Sequence, residues 1–247
     1  MDVLQYWRFL TPAALPFTLR QATALLVDSL TGAPPRPIRA RDFVRAHAKP
    51  GDPADVLRAL DRFSREVRFL MSVGPDKGPL MSELVGRLPD GARVLELGAY
   101  CGYSAVMIAD RLPPGGRLVS IEADPVAADV ARSIVAYAGL GDRVEVIHGD
   151  SSATIPTLTG PFDLVFLDHW KELYLPDLQQ LERHDLLRPG SIVVADNVGE
   201  IFGAQPYLDY VRTCGRYESE HRAATIEYTE IPDAVEISVW GPARSTD

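Results

Sequence analysis

The run RVLELGAYCGYSAV, residues 93–106, decides the fold. Its first five residues carry Val94, Leu95 and Leu97 in a short apolar segment, too short for a helix and suited to a buried strand. Gly98 and Gly102 bracket the turn that follows, and a helical pattern then runs from Tyr103 to Leu112. Strand, glycine turn and helix make the first half of a βαβ unit. The same alternation continues outward. RLVSIEA (117–123) reads as a strand, and residues 125–138 as a helix with Pro125 in its first turn. Strands follow at 144–148 and at DLVFLD (163–168), then a helix over 175–187 and a fifth strand at SIVVADN (191–197). Buried runs alternating with helices predict an α/β architecture, a mostly parallel sheet with helices on both faces. The end of the chain differs. Residues 224–231 and 234–240 are strand-like and meet at Pro232-Asp233, which predicts a closing antiparallel hairpin.

Upstream, Val56, Leu57, Leu60, Phe63, Val67 and Leu70 fall at steps of three and four, the pattern of an amphipathic helix over 54–70. A further helical pattern covers 78–88 and stops at Pro89-Asp90-Gly91. Before these lies the connector APPRP (33–37), which divides the chain into an arm, 1–37, and a catalytic domain, 38–247. The arm contains a greasy segment, 9–30, broken by Pro12, Pro16, Arg20 and Asp28. A membrane span needs about 20 nearly unbroken apolar residues. The segment is read as an amphipathic arm that packs on its own domain or on a second subunit, with interfacial membrane contact as the weaker alternative. The first ten residues lack the layout of a secretory leader.

The chain has 247 residues, 46% of them apolar, and 34 acidic against 25 basic side chains give a net charge of −9. That composition fits one globular domain with an appendage and excludes disorder. The acid excess argues against nucleic acid as the partner, because phosphate binding needs a basic face, and leaves a small molecule. Two cysteines, Cys101 and Cys214, are too few for a disulfide framework and fit a reducing, cytoplasmic setting.

In an open α/β sheet, ligands bind beyond the carboxyl ends of the strands. At the first end, Gly98 and Gly102 leave room for a ligand to approach the backbone, while Tyr100 stands where a dinucleotide fingerprint would carry its second glycine. A pyrophosphate on this turn is therefore disfavoured, and a nicotinamide dehydrogenase with it. Glu122, 24 residues past Gly98, has the spacing of an acid that binds a ribose diol. Together they predict a nucleoside cofactor without a pyrophosphate. At the other ends stand Asp168, Asp196 and Asn197, hard oxygen donors few enough to leave room for water and substrate, which suits Mg²⁺. The five histidines show no paired spacing for zinc. Lys171 follows Asp168 by three residues, and a metal cation beside it would favour its neutral amine, the form a general base needs.

These residues also carry a resemblance. VLELGAYCGYSAV (94–106), FLDHWK (166–171) and ADNV (195–198) resemble catechol O-methyltransferases, as do MSVGPDKG (71–78) and IEYTE (226–230), across residues 40–242 in order. The resemblance implies the Rossmann-like fold of S-adenosylmethionine (AdoMet)-dependent methyltransferases, with a mostly parallel seven-stranded sheet, and methyl transfer to one hydroxyl of a catechol or similar vicinal diol. Gly98, Tyr100 and Ser104 would then line the methionine part of AdoMet, with Glu96 and Val73 beside them. Glu122 would hold the ribose, and Ala123, Ser151, Ser152, His169 and Trp170 would surround the adenine, with Asp168 at the cofactor's edge. Asp168, Asp196 and Asn197 correspond to the Mg²⁺ ligands, Lys171 to the general base, and Glu227 to the acceptor of a hydrogen bond from the second hydroxyl. Phe69, Met71, Lys171, Asn197 and Glu227 would meet the substrate. Four places depart from the family. Phe69 stands for a tryptophan wall, residues 199–202 for a proline wall, and Ala123 and Ser152 for a methionine and a glutamine near the adenine. These departures keep open a larger hydroxylated acceptor, such as a phenylpropanoid or a biosynthetic intermediate. A non-catalytic AdoMet-binding module is the remaining alternative.

Overall fold

A computed structural model describes residues 14–241. Residues 1–13, on which the leader reading and the start of the arm fall, and residues 242–247 lie outside the described part. One seven-stranded sheet runs in the order β3 (Val144–His148), β2 (Arg117–Glu122), β1 (Arg93–Leu97), β4 (Phe162–Leu167), β5 (Leu187–Ala195), β7 (Pro232–Trp240) and β6 (Tyr217–Thr225). The first five are parallel, and β7 joins β5 and β6 antiparallel. This is the α/β sheet that the alternation of apolar runs predicts.

Alternation along the strands builds two cores. Val94, Leu164, Phe166 and Val194 face a layer formed by α2 (Arg36–His47), α3 (Pro53–Glu66), α4 (Gly74–Gly86), α5 (Tyr103–Arg111) and α6 (Pro125–Tyr137). Leu95, Leu97, Val165, Leu167 and Val193 face α8 (Tyr174–Arg183) and α9 (Gln205–Thr213). Strand order reverses between β1 and β4, since the chain winds outward through β2 and β3 and returns to the far side of β1. The crevice at their carboxyl ends is the topological switch point. Register sets the ends level: Leu97 pairs with Leu167, and Leu167 with Ala195. Gly98, Asp168 and Asp196 therefore emerge side by side.

Side-chain caps start the helices that border this crevice. Asp124 accepts from the Ala127 amide at 2.7 Å and Pro125 opens α6, and Asp150 accepts from the Ala153 amide at 3.0 Å at α7 (Ser151–Thr154). Each cap is worth about 1 kcal/mol.

Several boundaries differ from the sequence reading. The helix expected over 175–187 stops at Arg183, because Asp185 takes a left-handed φ of 53°. The Leu186 amide then bonds back to the Leu181 carbonyl and the Asp185 amide to that of Glu182, closing a Schellman turn without glycine. The hairpin is displaced too. Its first strand is Tyr217–Thr225, and residues 226–231 form the turn, closed by the Ile226 amide on the Ile231 carbonyl and by Tyr228 at φ 60°. Asp233, expected in the turn, stands in β7. The polar edge strand ESEHR (218–222) hides behind its charges, which keep an edge from pairing further. Helix α9 leaves little trace in the sequence, since only Tyr207, Leu208 and Val211 anchor it. Helix α4 begins at Gly74 rather than Gly78, and α3 ends at Glu66 rather than near Leu70. The arm forms α1 (Leu15–Leu30), and the connector does not isolate it: Asp28 pairs with Arg39 at 3.0 Å and Arg68 at 2.9 Å.

Candidate active site

Everything that borders the crevice hangs from strand ends. Gly98, at φ 102°, brings β1 against β4: a Cβ there would lie 2.6 Å from the Asp168 carbonyl oxygen. Gly102 likewise faces the protein's own backbone, where an added Cβ would stand 3.1 Å from Ala131 Cα. The two glycines thus let strand ends and α6 converge around the crevice. Between them Tyr100 takes a φ of 44°, and its amide donates to Glu122 at 2.7 Å. Glu122 also accepts from the Asp124 amide at 2.9 Å, so its carboxylate is aimed by two backbone donors.

Behind this turn sits Glu96, fully buried. One carboxylate oxygen accepts from the Ser120 hydroxyl, and the other, Oε1, has no hydrogen-bond partner among the described residues. Burial pushes its pKa up to about 7, against the pull of the Ser104 and Ser120 hydroxyls. An unpartnered buried carboxylate oxygen is the feature a cofactor ammonium would satisfy. The raised value has a stability consequence. The protonated form is favoured on folding, so this contribution is complete below the unfolded value of 4.5 and is lost as pH rises through about 7. Glu96→Gln should therefore stabilise the ligand-free protein at pH 8 by about 3 kcal/mol and weaken AdoMet binding. Thermal melts across pH 5–8 check the first effect and calorimetry the second.

The residues expected around the adenine are organised by one carboxylate that the sequence reading did not single out. Asp177 on α8, fully buried, accepts from Ser151 at 2.5 Å, from Ser152, and from His169 Nε2 at 2.9 Å. Burial opposes its ionisation, but these hydrogen bonds prevail and lower its pKa. Burial lowers that of His169, so the neutral ring is favoured. A proton on Nε2, donated to Asp177, leaves Nδ1 as a buried acceptor with no partner among the described residues. Ala123 and Trp170 are exposed, Trp170 by 50%, and Val73 is buried just before α4.

The oxygen donors lie next to this. Lys171 Nζ is 3.6 Å from Asp168 Oδ1 and donates to Asn197 Oδ1 at 3.3 Å and to the Tyr174 hydroxyl at 2.6 Å. Tyr174 in turn reaches the carbonyls of Leu167 and Asp196, at 2.7 and 2.9 Å. Asn197 takes a left-handed φ of 51°, and its Nδ2 donates to Asp233 at 2.8 Å, which turns Oδ1 toward the Lys171 side. Burial, the largest effect, and the neighbouring Asp196 raise the pKa of Asp168, against the pull of Lys171.

Lys77 is the largest omission from the sequence reading. Only 3% exposed, it lies 2.6 Å from Asp196 Oδ1, 2.6 Å from Glu227 Oε1 and 3.0 Å from Asp233 Oδ2. Burial works against its ammonium, but the three carboxylates outweigh it and raise its pKa. Burial raises Glu227 as well, despite Lys77; one cation shared by three acids cannot hold all of them ionised equally well. Gly74 makes the approach possible, since a Cβ there would stand 2.6 Å from Glu227 Cγ. A signal did exist in the sequence. Lys77 falls in the buried stripe Gly74, Lys77, Gly78, Met81 and Val85 of α4, where a lysine requires an acidic partner.

Among the described residues, no three His, Cys, Asp or Glu side chains gather as a metal centre. The candidate donors are instead two carboxylates and an amide. Asp196 Oδ1 is engaged by Lys77 and by the Asn197 amide at 2.7 Å, which leaves Oδ2 available to a ligand. With Asp168 and Asn197 Oδ1 this set suits a hard divalent cation that retains water or substrate oxygens. Of the residues expected to meet the substrate, Glu227 is buried, Phe69 half-buried and Met71 67% exposed.

A doubly wound sheet with an acid at the second strand end and oxygen donors at the switch point is the layout of a nucleoside-cofactor enzyme, and similarity to known proteins narrows it to the AdoMet-dependent methyltransferases. Residues 51–203 match a family model described as O-methyltransferase. Catechol O-methyltransferase B of Danio rerio is 42% identical, over 96% of this chain and 93% of its own. A Homo sapiens protein named transmembrane O-methyltransferase is 42% identical over 83% of this chain and 72% of its own. Among solved structures, an O-methyltransferase from Bacillus cereus in complex with SAH shares 25% identity and a TM-score of 0.65, over 76% of this chain and 90% of that one. The chain belongs to the catechol O-methyltransferase family. It is an AdoMet-dependent O-methyltransferase of small molecules. Among the described residues no helix is long and apolar enough to cross a membrane.

Proposed function

We propose that the protein transfers the AdoMet methyl group to one hydroxyl of a catechol, in a Mg²⁺-dependent reaction with Lys171 as general base. The observation that carries this reading is the meeting of Asp168, Lys171 and Asn197 beside Asp196 and Glu227 at the switch point. Asp168, Asp196 and Asn197 would hold Mg²⁺, which when bound supplies Lewis-acid polarisation of the catechol oxygens. AdoMet supplies an electrophilic methyl carbon on sulfonium sulfur.

The residues of the chain do the rest. Glu96 Oε1 receives the cofactor ammonium and Glu122 the ribose hydroxyls. Lys171 takes the proton of the reacting hydroxyl at Nζ, an atom positioned by Tyr174 and Asn197. The acceptor oxygen forms its bond to the methyl carbon as the carbon–sulfur bond breaks, its electron pair remaining on sulfur. Glu227 accepts a hydrogen bond from the second hydroxyl and so fixes which oxygen reacts. Opposite charges cancel in this step, so the buried walls around Glu96 and Glu227, which limit hydration, favour it. A cytoplasmic setting belongs to the same proposal, on the strength of the free thiols of Cys101 and Cys214.

The test is methylation of catechol with and without chelator. Activity should fall at least about 10²-fold in EDTA and return with added Mg²⁺. Turnover indifferent to EDTA would refute the metal's role, and transfer to monophenols as fast as to catechol would refute the acceptor class.

A further inference from the structure

Helix α1 packs on the acceptor side of the crevice. Ala14 is fully buried with Ile226 and Ile231, and Phe17, Phe69, Ile201 and Phe202 pack against that cluster. By the family resemblance Phe69 and the 199–202 stretch would form the acceptor walls, and Ile226 directly precedes Glu227. Phe17 meets Phe69 edge-on, with ring centroids 4.9 Å apart. The contact is held in place from behind. Asp28, near the far end of α1, pairs with Arg68, the chain neighbour of Phe69, at 2.9 Å, and Arg36 donates to the Phe69 carbonyl at 3.3 Å.

Between the start of α1 and residues 228–231 opens a groove of about 460 Å³, lined by Phe17, Arg20, Thr229 and Glu230 among others. Tyr228, which follows Glu227 in the chain, and Phe17, which meets Phe69, are among its lining residues. Two opposite charges line it. Among the described residues neither Arg20 nor Glu230 forms a salt bridge, and Arg20 makes a cation–π contact 5.8 Å from the Phe17 ring centroid. Both side chains are exposed and available to a ligand.

We propose that α1 is part of the acceptor site: Phe17 extends the wall begun by Phe69, and Arg20 with Glu230 selects a catechol whose ring substituent carries both an anionic and a cationic group. The inference rests on the catechol reading above. With the two hydroxyls held at the oxygen donors and Glu227, a substituent on the ring's far edge leaves past Phe69 into the groove. An anionic group on it meets Arg20, and a cationic group meets Glu230. A substituent of one sign alone gains one contact and is repelled at the other. Contacts this exposed are each worth about 1 kcal/mol or less, enough to rank acceptors without altering the chemistry at the hydroxyls.

The experiment compares kcat/KM for 3,4-dihydroxyphenylalanine and for unsubstituted catechol, on the full chain and on Arg20→Glu, Phe17→Ala and Leu26→Gln. Arg20 is exposed, so Arg20→Glu leaves the core untouched. The ratio of the two constants should fall about tenfold in Arg20→Glu, where a contact is lost and a repulsion added. In Phe17→Ala it should fall about threefold, in both cases through KM. It should not move in Leu26→Gln, on the exposed face of α1. An unchanged ratio in Arg20→Glu overturns the proposal, including the case where both acceptors speed up or slow together, which would make α1 a plug or a support. Unaltered protein that methylates neither acceptor overturns the catechol reading and this inference together, whereas methylation of both with an unmoved ratio overturns the role of α1 alone.

Discussion

Lys77→Met should lower folding stability by about 3–5 kcal/mol, the cost of leaving buried charge without its partner. Three carboxylates lose one cation at a place with almost no solvent: Asp196 at 2.6 Å, Glu227 at 2.6 Å and Asp233 at 3.0 Å. In a chain of this size the loss corresponds to a fall in Tm on the order of 10 °C. Its pH dependence follows from the raised pKa of Lys77. A base raised above its unfolded value of 10.5 contributes stability in full below that pH, and loses it only as pH climbs through the folded value. The unaltered protein therefore keeps the whole contribution at pH 7. The variant should recover part of its deficit between pH 7 and 5, as protonation removes the uncompensated carboxylate charge. Chemical denaturation at both pH values measures this. Lys77→Arg, which keeps the charge, should lose less; equal stability of Lys77→Met and the unaltered chain would show that the lysine does not hold the cluster.

Lys171→Met should reduce kcat by roughly 10²–10⁴-fold, the range that positioned general bases supply. The amine is held by the Tyr174 hydroxyl at 2.6 Å and the Asn197 amide oxygen at 3.3 Å, next to Asp168. Its side chain is 13% exposed and faces one carboxylate, Asp168, where Lys77 faces three, so Tm should fall less than in Lys77→Met and kcat is read well below the melt. AdoMet affinity, read by calorimetry, should change less than about threefold, because in the proposed arrangement the cofactor would be held by Glu96, Glu122 and the Ser151, Ser152 and His169 side chains that Asp177 positions. A variant that retains kcat within about tenfold would end the assignment of Lys171 as the base.

Much of this site can be read along the chain, and the reason is local. A short strand followed by glycine turn and helix leaves its polar residues at the strand end, so Glu122, Asp168, Asp196 and Asn197 announce themselves by position. Asp177 and Asp233 do not. Asp177 looks like an ordinary residue in the first turn of α8, and its bonds to Ser151, Ser152 and His169 join segments that are distant in sequence. Asp233 beside Pro232 looks like turn chemistry, yet β7 carries it inward to Asn197 and Lys77. The displacement of the hairpin has a related cause. The alternation in TIEYTEI (225–231) imitates a strand, while the left-handed Tyr228 bends it into the loop that presents Glu227.

Sequence alone determined the layer order of this protein and the strand ends at which its chemistry gathers, because buried-run and turn signals act over a few neighbouring residues. What tertiary structure decided is how charge is shared. Lys77 meets acids 119, 150 and 156 positions away, and α1 lays Phe17 against Phe69. Desolvation and Coulomb energy depend on distance through space rather than along the chain. The partners of a buried lysine and the packing of α1 on Phe69 therefore emerge only once the sheet has closed.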